Sequence, residues 1–166
     1  MIGLIILLLF LTALAITSVR KYPEKTAYVV ERMGQFNKVI TGGYQFLIPF
    51  LDKIVETVSL EVQNISVNQI NVKTLDSVGM HLTVEIEYRV ADPKQYRYGT
   101  DDPLTALEKL TRITAQNLFS TVQSNSVSWQ GDVLMKLLNP AIEQWGLKIQ
   151  HLNIRNMERL TSQNTN

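Results

Sequence analysis

Cysteine is missing altogether from the 166 residues, and histidine occurs only twice, at His81 and His151. Without cysteine there are no disulfides, thiolate metal sites, cysteine nucleophiles or thiol-linked lipids. Two histidines leave little for a metal site or for acid–base chemistry. An excess of one charge sign is lacking too, since 16 Lys and Arg face 15 Asp and Glu. That balance gives no broad basic surface for a phosphate backbone, so nucleic-acid binding is not expected. The G-x-S-x-G, P-loop, H-E-x-x-H and dinucleotide-binding glycine signatures do not occur. The expectation is therefore a protein with no cofactor, no bound metal and no catalytic site.

Charge is also absent from one end. Every charged residue follows Val19, because Ile2 to Val19 (IGLIILLLFLTALAITSV) contains none. As a helix rising about 1.5 Å per residue, this segment is roughly 27 Å long, just under the hydrocarbon thickness of a bilayer. It is predicted to span a membrane once, with Leu8 and Leu11 against lipid. Two alternatives are a signal peptide cut near Ala13-Leu14-Ala15, releasing a secreted or periplasmic binding domain, and a buried soluble helix. No Lys or Arg precedes the apolar run, which argues against the signal peptide. Arg20, Lys21 and Lys25 follow it, so the positive-inside rule places the rest of the chain in the cytoplasm.

The remainder reads as α+β, with mostly antiparallel strands and amphipathic helices packed on the sheet. A strand over Tyr22 to Arg32 ends in a turn at Met33-Gly34, and Gly42-Gly43 is predicted to be a second turn. An aromatic and aliphatic run follows from Tyr44 to Leu51, interrupted by Pro49. Within it the period-2 spacing of Phe46, Ile48 and Phe50 predicts core positions. Tyr44, Leu47 and Leu51 are left as candidates for membrane contact. Strands over 54–62 and 64–73 come next, the second with a change of phase near Asn68 that predicts a bulge.

The clearest strand is 81–90, where Leu82, Val84, Ile86, Tyr88 and Val90 alternate with polar residues. Glu85 and Glu87 share its polar face. Two carboxylates can serve as general acid and base, but alternating charge is also what a solvated strand face carries, with Arg89 placed to neutralise them. The solvated face is the favoured reading.

A helix is predicted to start at Pro103, with Asp101 or Asp102 as its N-cap. Leu104, Leu107, Leu110, Thr114, Leu118 and Val122 fall in a stripe about 120° wide. Phe119 lies beside that stripe and is either an oligomer contact or the edge of the core. After a polar loop, Val133, Leu134, Leu137, Leu138, Ala141, Ile142 and Trp145 form a second amphipathic pattern, in which Pro140 predicts a kink or restart. Gly146 stands where a helix C′ residue is expected, and LKIQHLNI resumes strand character before a polar tail.

Four words occur in order: Glu31-Arg32-Met33-Gly34-Gln35-Phe36, Phe46-Leu47-Ile48-Pro49-Phe50-Leu51-Asp52, Tyr88-Arg89-Val90-Ala91-Asp92-Pro93 and Trp145-Gly146-Leu147-Lys148-Ile149. With the apolar segment ahead of them, they resemble the SPFH (stomatin, prohibitin, flotillin; band 7) family, stomatin branch, collinearly over roughly residues 22–157. The resemblance implies an anchor over 1–21, one SPFH domain over 22–157 and a short tail over 158–166. It further implies a non-enzymatic scaffold at the cell membrane that oligomerises with itself or with related SPFH proteins. Such a scaffold organises membrane proteins or lipid microdomains and modulates a membrane protease or channel. The sequence departs from the pattern in having Gly42-Gly43 where Pro-Gly is usual, and in lacking the usual Arg-Asp-Glu-rich stretch in the second helix. It also lacks the long Ala/Glu-rich helix that follows the domain in the family. A small oligomer, or a capping subunit in the assembly of a longer relative, is expected in place of a closed cage.

Overall fold

A computed structural model describes residues 18–159, together with Ile2, Gly3, Ile6 and Leu9. Among the described residues no helix is long and apolar enough to cross a membrane. The expected anchor, with Leu8 and Leu11, lies almost wholly outside the described residues.

The chain divides into two compact units between Glu61 and Val62. The first holds strands β1 (Val19–Arg32), β2 (Gln35–Phe46) and β3 (Asp52–Ser59), in the antiparallel order β2-β1-β3. Met33 and Gly34 make the expected tight turn between β1 and β2, both at positive φ. Ala27, Val29, Val30, Ile40 and Val58 are the buried apolar residues among those described here.

Gly42-Gly43 is not a turn between strands. Both residues sit inside β2 with φ of 60° and 75°, and the ladder slips there, from Tyr22 opposite Gly43 to Ala27 opposite Thr41. Five steps along β1 thus answer two along β2, a bulge that bends the ribbon sharply. Only a glycine fits at position 42, because a Cβ there would lie 2.9 Å from the Glu24 Cα. The bend is large enough for Lys38 Nζ to donate to the Phe46 carbonyl at 2.8 Å. Eight residues of straight strand would cover about 27 Å, far beyond the reach of a lysine.

The second unit has the antiparallel order β4-β5-β6, from β4 (Gln63–Lys73), β5 (Gly79–Val90) and β6 (Leu147–Arg159). The predicted bulge is present: β4 slips between Val67 and Ile70, with Gln69 at φ 53°. Arg112 donates to the Asn68 and Gln69 carbonyls that the bulge turns outward, at 3.2 and 3.1 Å. Met80, Leu82, Val84, Ile86, Tyr88 and Val90 bury one face of β5, each such side chain contributing about 1.5–3 kcal/mol relative to exposure. β6 runs on to Arg159 opposite Met80, so the first residues of the expected tail belong to the ladder.

Between β5 and β6 lie α1 (Pro93–Tyr98), α2 (Pro103–Phe119), a 3₁₀ segment (Ser124–Trp129), α3 (Gly131–Ile142) and a second 3₁₀ turn (Glu143–Trp145). Asp102 caps α2, accepting from the amides of Leu104 and Thr105, as predicted. The buried face of α2 is rotated from the predicted stripe: it carries Pro103, Leu107, Thr111, Ala115 and Phe119, while Leu104, Leu110, Thr114 and Leu118 are half-buried. Val122 lies beyond the helix end. Pro140 neither stops nor restarts α3, which continues through it to Ile142. Of the predicted apolar face of α3, Leu134, Leu138 and Ile142 are buried, but Val133 and Leu137 face outward. Gly146 adopts the left-handed conformation predicted for it, at φ 70°.

Candidate membrane-contact surface

The segment between β2 and β3 is held at both ends. Leu47 N donates to the Ser18 carbonyl at 2.9 Å, beside the first residue of β1. At the other end Met33 N donates to the Leu51 carbonyl, and Arg32 grips Asp52 through Nε–Oδ1 and Nη2–Oδ2 contacts of 2.7 and 3.1 Å. Asp52 also accepts from the Ile48 amide at 2.7 Å and from Asn37 Nδ2 at 3.4 Å. Its side chain has no exposed surface. The hydrogen bond from Arg32 holds its carboxyl below the ordinary aspartate range, assisted by Ile48 N and the Arg32 and Lys38 charges, against the cost of burial.

This anchorage presents apolar side chains to the outside. Phe50, at φ 67°, is 100% exposed and Phe46 is 51% exposed. The prediction that these two are core is overturned. Alternation requires a continuing strand, whereas β2 ends at Phe46 and Asp52 draws the Ile48 amide into a tight loop with Pro49 and Phe50 at its tip. Ile48 itself is half-buried. Val19 pairs with Phe46, and Met33 adjoins Leu51, so their exposed side chains join the same region. Of the predicted membrane candidates, Tyr44 is 75% exposed, Leu51 is at the margin of exposure and Leu47 is half-buried. The bend at Gly42-Gly43 brings the two stretches together, and linear spacing does not show it.

Three basic groups follow the uncharged segment along β1. Arg20, Lys21 and Lys25 are all exposed. Lys21 stands 6.0 Å from the centre of the Tyr44 ring, within cation–π range, and Lys25 pairs with Glu61. A cleft of about 330 Å³ runs beside the loop, lined by Ser18, Arg20, Tyr22, Leu47, Ile48, Pro49, Asp52, Lys53 and Ile54.

Residues 20–159 match the family described as SPFH domain / Band 7 family. The chain belongs to that family. It is 31% identical to the Stomatin-like protein stl-1 of Caenorhabditis elegans over 146 residues, covering 86% of this chain and 45% of that protein. It is 30% identical to Stomatin-like protein 2, mitochondrial, of Homo sapiens over 139 residues, covering 81% of this chain and 39% of that protein. The chain thus spans less than half the length of these relatives.

The other predicted features of this SPFH chain fall elsewhere. Phe119 has no exposed surface and closes the buried face of α2. Of the two alternatives for this residue, that burial favours the edge of the core. Glu85 pairs with Arg155 at 2.9 Å, a cross-strand partner on β6 in place of the expected Arg89. Glu87 and His151 face each other on the same strands, and together with Asn64, Ser66 and Asn153 they line a polar cleft of about 420 Å³. His81 is hydrogen-bonded to Asn71 on β4. Among the described residues no three His, Asp or Glu gather where a metal ion could be held.

Proposed function

We propose that this SPFH chain is a non-enzymatic, single-pass membrane scaffold, anchored by residues 1–21 and facing the cytoplasm with a domain over 22–157, ahead of a short tail over 158–166. In this reading it oligomerises with itself or with related SPFH proteins, and organises membrane proteins or lipid microdomains so as to modulate a protease or channel. The supporting observation is the placement of exposed Phe46, Phe50 and Leu51 beside Ser18, where the uncharged segment joins the fold. A rim of that kind gains free energy by entering the interfacial layer of a bilayer. Family membership over residues 20–159 supports the scaffold role.

The test is protease accessibility of the full chain in sealed vesicles of known orientation, with light scattering of the detergent-solubilised protein alongside. Digestion of residues 20–166 only when the cytoplasmic face is exposed, and a mass above the monomer, are expected. Protection of that face would refute the topology, and a strict monomer would refute the scaffold.

A further inference from the structure

The cleft beside the 47–52 loop combines features that the scaffold role alone does not require. Arg20 and Lys53 both line it, and among the described residues neither is engaged in an ion pair. Its one carboxylate, Asp52, is already neutralised by the two-point contact with Arg32. Glu31 stands opposite Lys53 in the β1–β3 ladder but does not line the cleft. What remains is a positive notch with Ser18 and Tyr22 in its wall. Phe50 projects from the loop that forms one side. Arg20 follows directly on the last residue of the uncharged segment, so when that segment enters a bilayer the notch lies at headgroup depth.

We infer that this cleft seats the phosphate of an anionic phospholipid between Arg20 and Lys53, with the acyl chains continuing along Phe46 and Phe50. The inference rests on the membrane-contact reading above and names the lipid class that surface selects. An arginine offers a planar pair of donors to phosphate oxygens and a lysine a mobile point charge, and the two together match a phosphodiester with an additional anionic group. The volume of about 330 Å³ suits a headgroup and is too small for a folded partner. Each basic residue near an anionic surface strengthens attraction roughly fivefold, so losing both is expected to remove the preference for anionic lipid.

The absence of cysteine makes the test clean, because Phe50→Cys in the full chain takes a polarity-sensitive dye at one position. The labelled protein is placed in nanodiscs of phosphatidylcholine alone, or of phosphatidylcholine with phosphatidylserine at three to one. The dye reports membrane contact, and native mass spectrometry of the unlabelled protein released from the mixed nanodiscs reports which lipids are retained. The expected result is a blue-shifted dye in both bilayers, with the ratio of phosphatidylserine to phosphatidylcholine in the retained lipid about fivefold above its bulk value. That enrichment should vanish in the Arg20→Gln, Lys53→Gln double variant and survive in Lys21→Gln and Lys25→Gln. A blue shift without enrichment would overturn the headgroup site while leaving membrane contact standing. No blue shift in either bilayer would overturn both. Equal loss from the Lys21 and Lys25 variants would replace the cleft with a diffuse surface charge, and loss on adding millimolar inorganic phosphate would make it a site for free phosphate.

Discussion

Arg32 and Asp52 are joined by two parallel contacts of 2.7 and 3.1 Å, linking the last residue of β1 to the first residue of β3. The second carboxylate oxygen simultaneously accepts the Ile48 amide, so one side chain closes the strand ladder and ties down the loop that carries Phe50. Asp52→Asn keeps the shape but replaces one acceptor oxygen with a donor, weakening the charge-assisted contacts and setting an amide group against a donor. We expect the Ile48 amide to exchange with solvent about tenfold faster in this variant, the effect of losing one good hydrogen bond to a charged group. Hydrogen-exchange mass spectrometry of the 47–52 segment reads this directly, and exchange at the wild-type rate would show that the strands alone hold the loop.

Acid should act through the same chemistry in both units. The carboxyls of Asp52, Asp76 and Asp102 are all held below the ordinary value, by Arg32, by Thr74 and Ser124, and by Thr105 respectively. Each therefore takes up its proton at a lower pH when folded than when unfolded. The unfolded chain binds more protons in the interval between, so stability rises with pH there and falls as the medium is acidified through it. Urea midpoints should be flat from neutrality to about pH 5 and decline below the unfolded aspartate value of about 3.9. Replacing all three by Asn should lower the midpoint at neutral pH and flatten the acid limb. An acid limb of unchanged steepness would mean that other groups drive the decline.

Gly146 permits a backbone contact that no other residue can. A Cβ there would lie 2.1 Å from the Asp92 carbonyl oxygen and 2.6 Å from the Tyr96 amide nitrogen, and the residue is already at φ 70°. Its carbonyl accepts from the Ala91 and Asp92 amides, so the start of α1 is built against it. Gly146→Ala must shift backbone on both sides, and a loss of about 3 kcal/mol or more is expected from the combined strain and clash. Chemical denaturation checks it; a loss under 1 kcal/mol would require α1 to move away freely.

The Trp145-Gly146 pair illustrates what the sequence makes legible. A glycine after an amphipathic pattern announces a left-handed terminus, just as Asp102-Pro103 announces a helix start and strict alternation announces β5. These signals are local, and the structure follows them. Asp92-Pro93 carries the same start signal as Asp102-Pro103, yet α1 buries none of its six residues and so lacks the apolar stripe that draws attention to a helix. The features that escaped the sequence are decided by distant partners. Gly42-Gly43 reads as a turn because paired glycines usually make one; its place inside β2 depends on the approach of Glu24. Phe46 and Phe50 read as core if alternation continues past Phe46, whereas the capture of the Ile48 amide by Asp52 ends the strand. The surface that carries the functional proposal thus arises from a bend and an ion pair, neither of which has a periodic signature.

The buried face of α2 gives a last prediction, in which two substitutions on one stripe have opposite signs. Phe119 is fully enclosed, so Phe119→Ala should cost about 3–5 kcal/mol through lost burial and the cavity left behind. Thr111 lies on the same stripe with no exposed surface, and its Oγ1 has no hydrogen-bond partner among the described residues. Thr111→Val exchanges that hydroxyl for a methyl of similar size, and a gain of about 1 kcal/mol is expected as the desolvated polar atom is removed. Urea unfolding of both variants separates core from interface. If Phe119→Ala left stability unchanged but halved the assembled mass, the side chain would belong to a subunit contact after all. A destabilising Thr111→Val would show that the hydroxyl is satisfied within the helix, by the carbonyl one turn earlier.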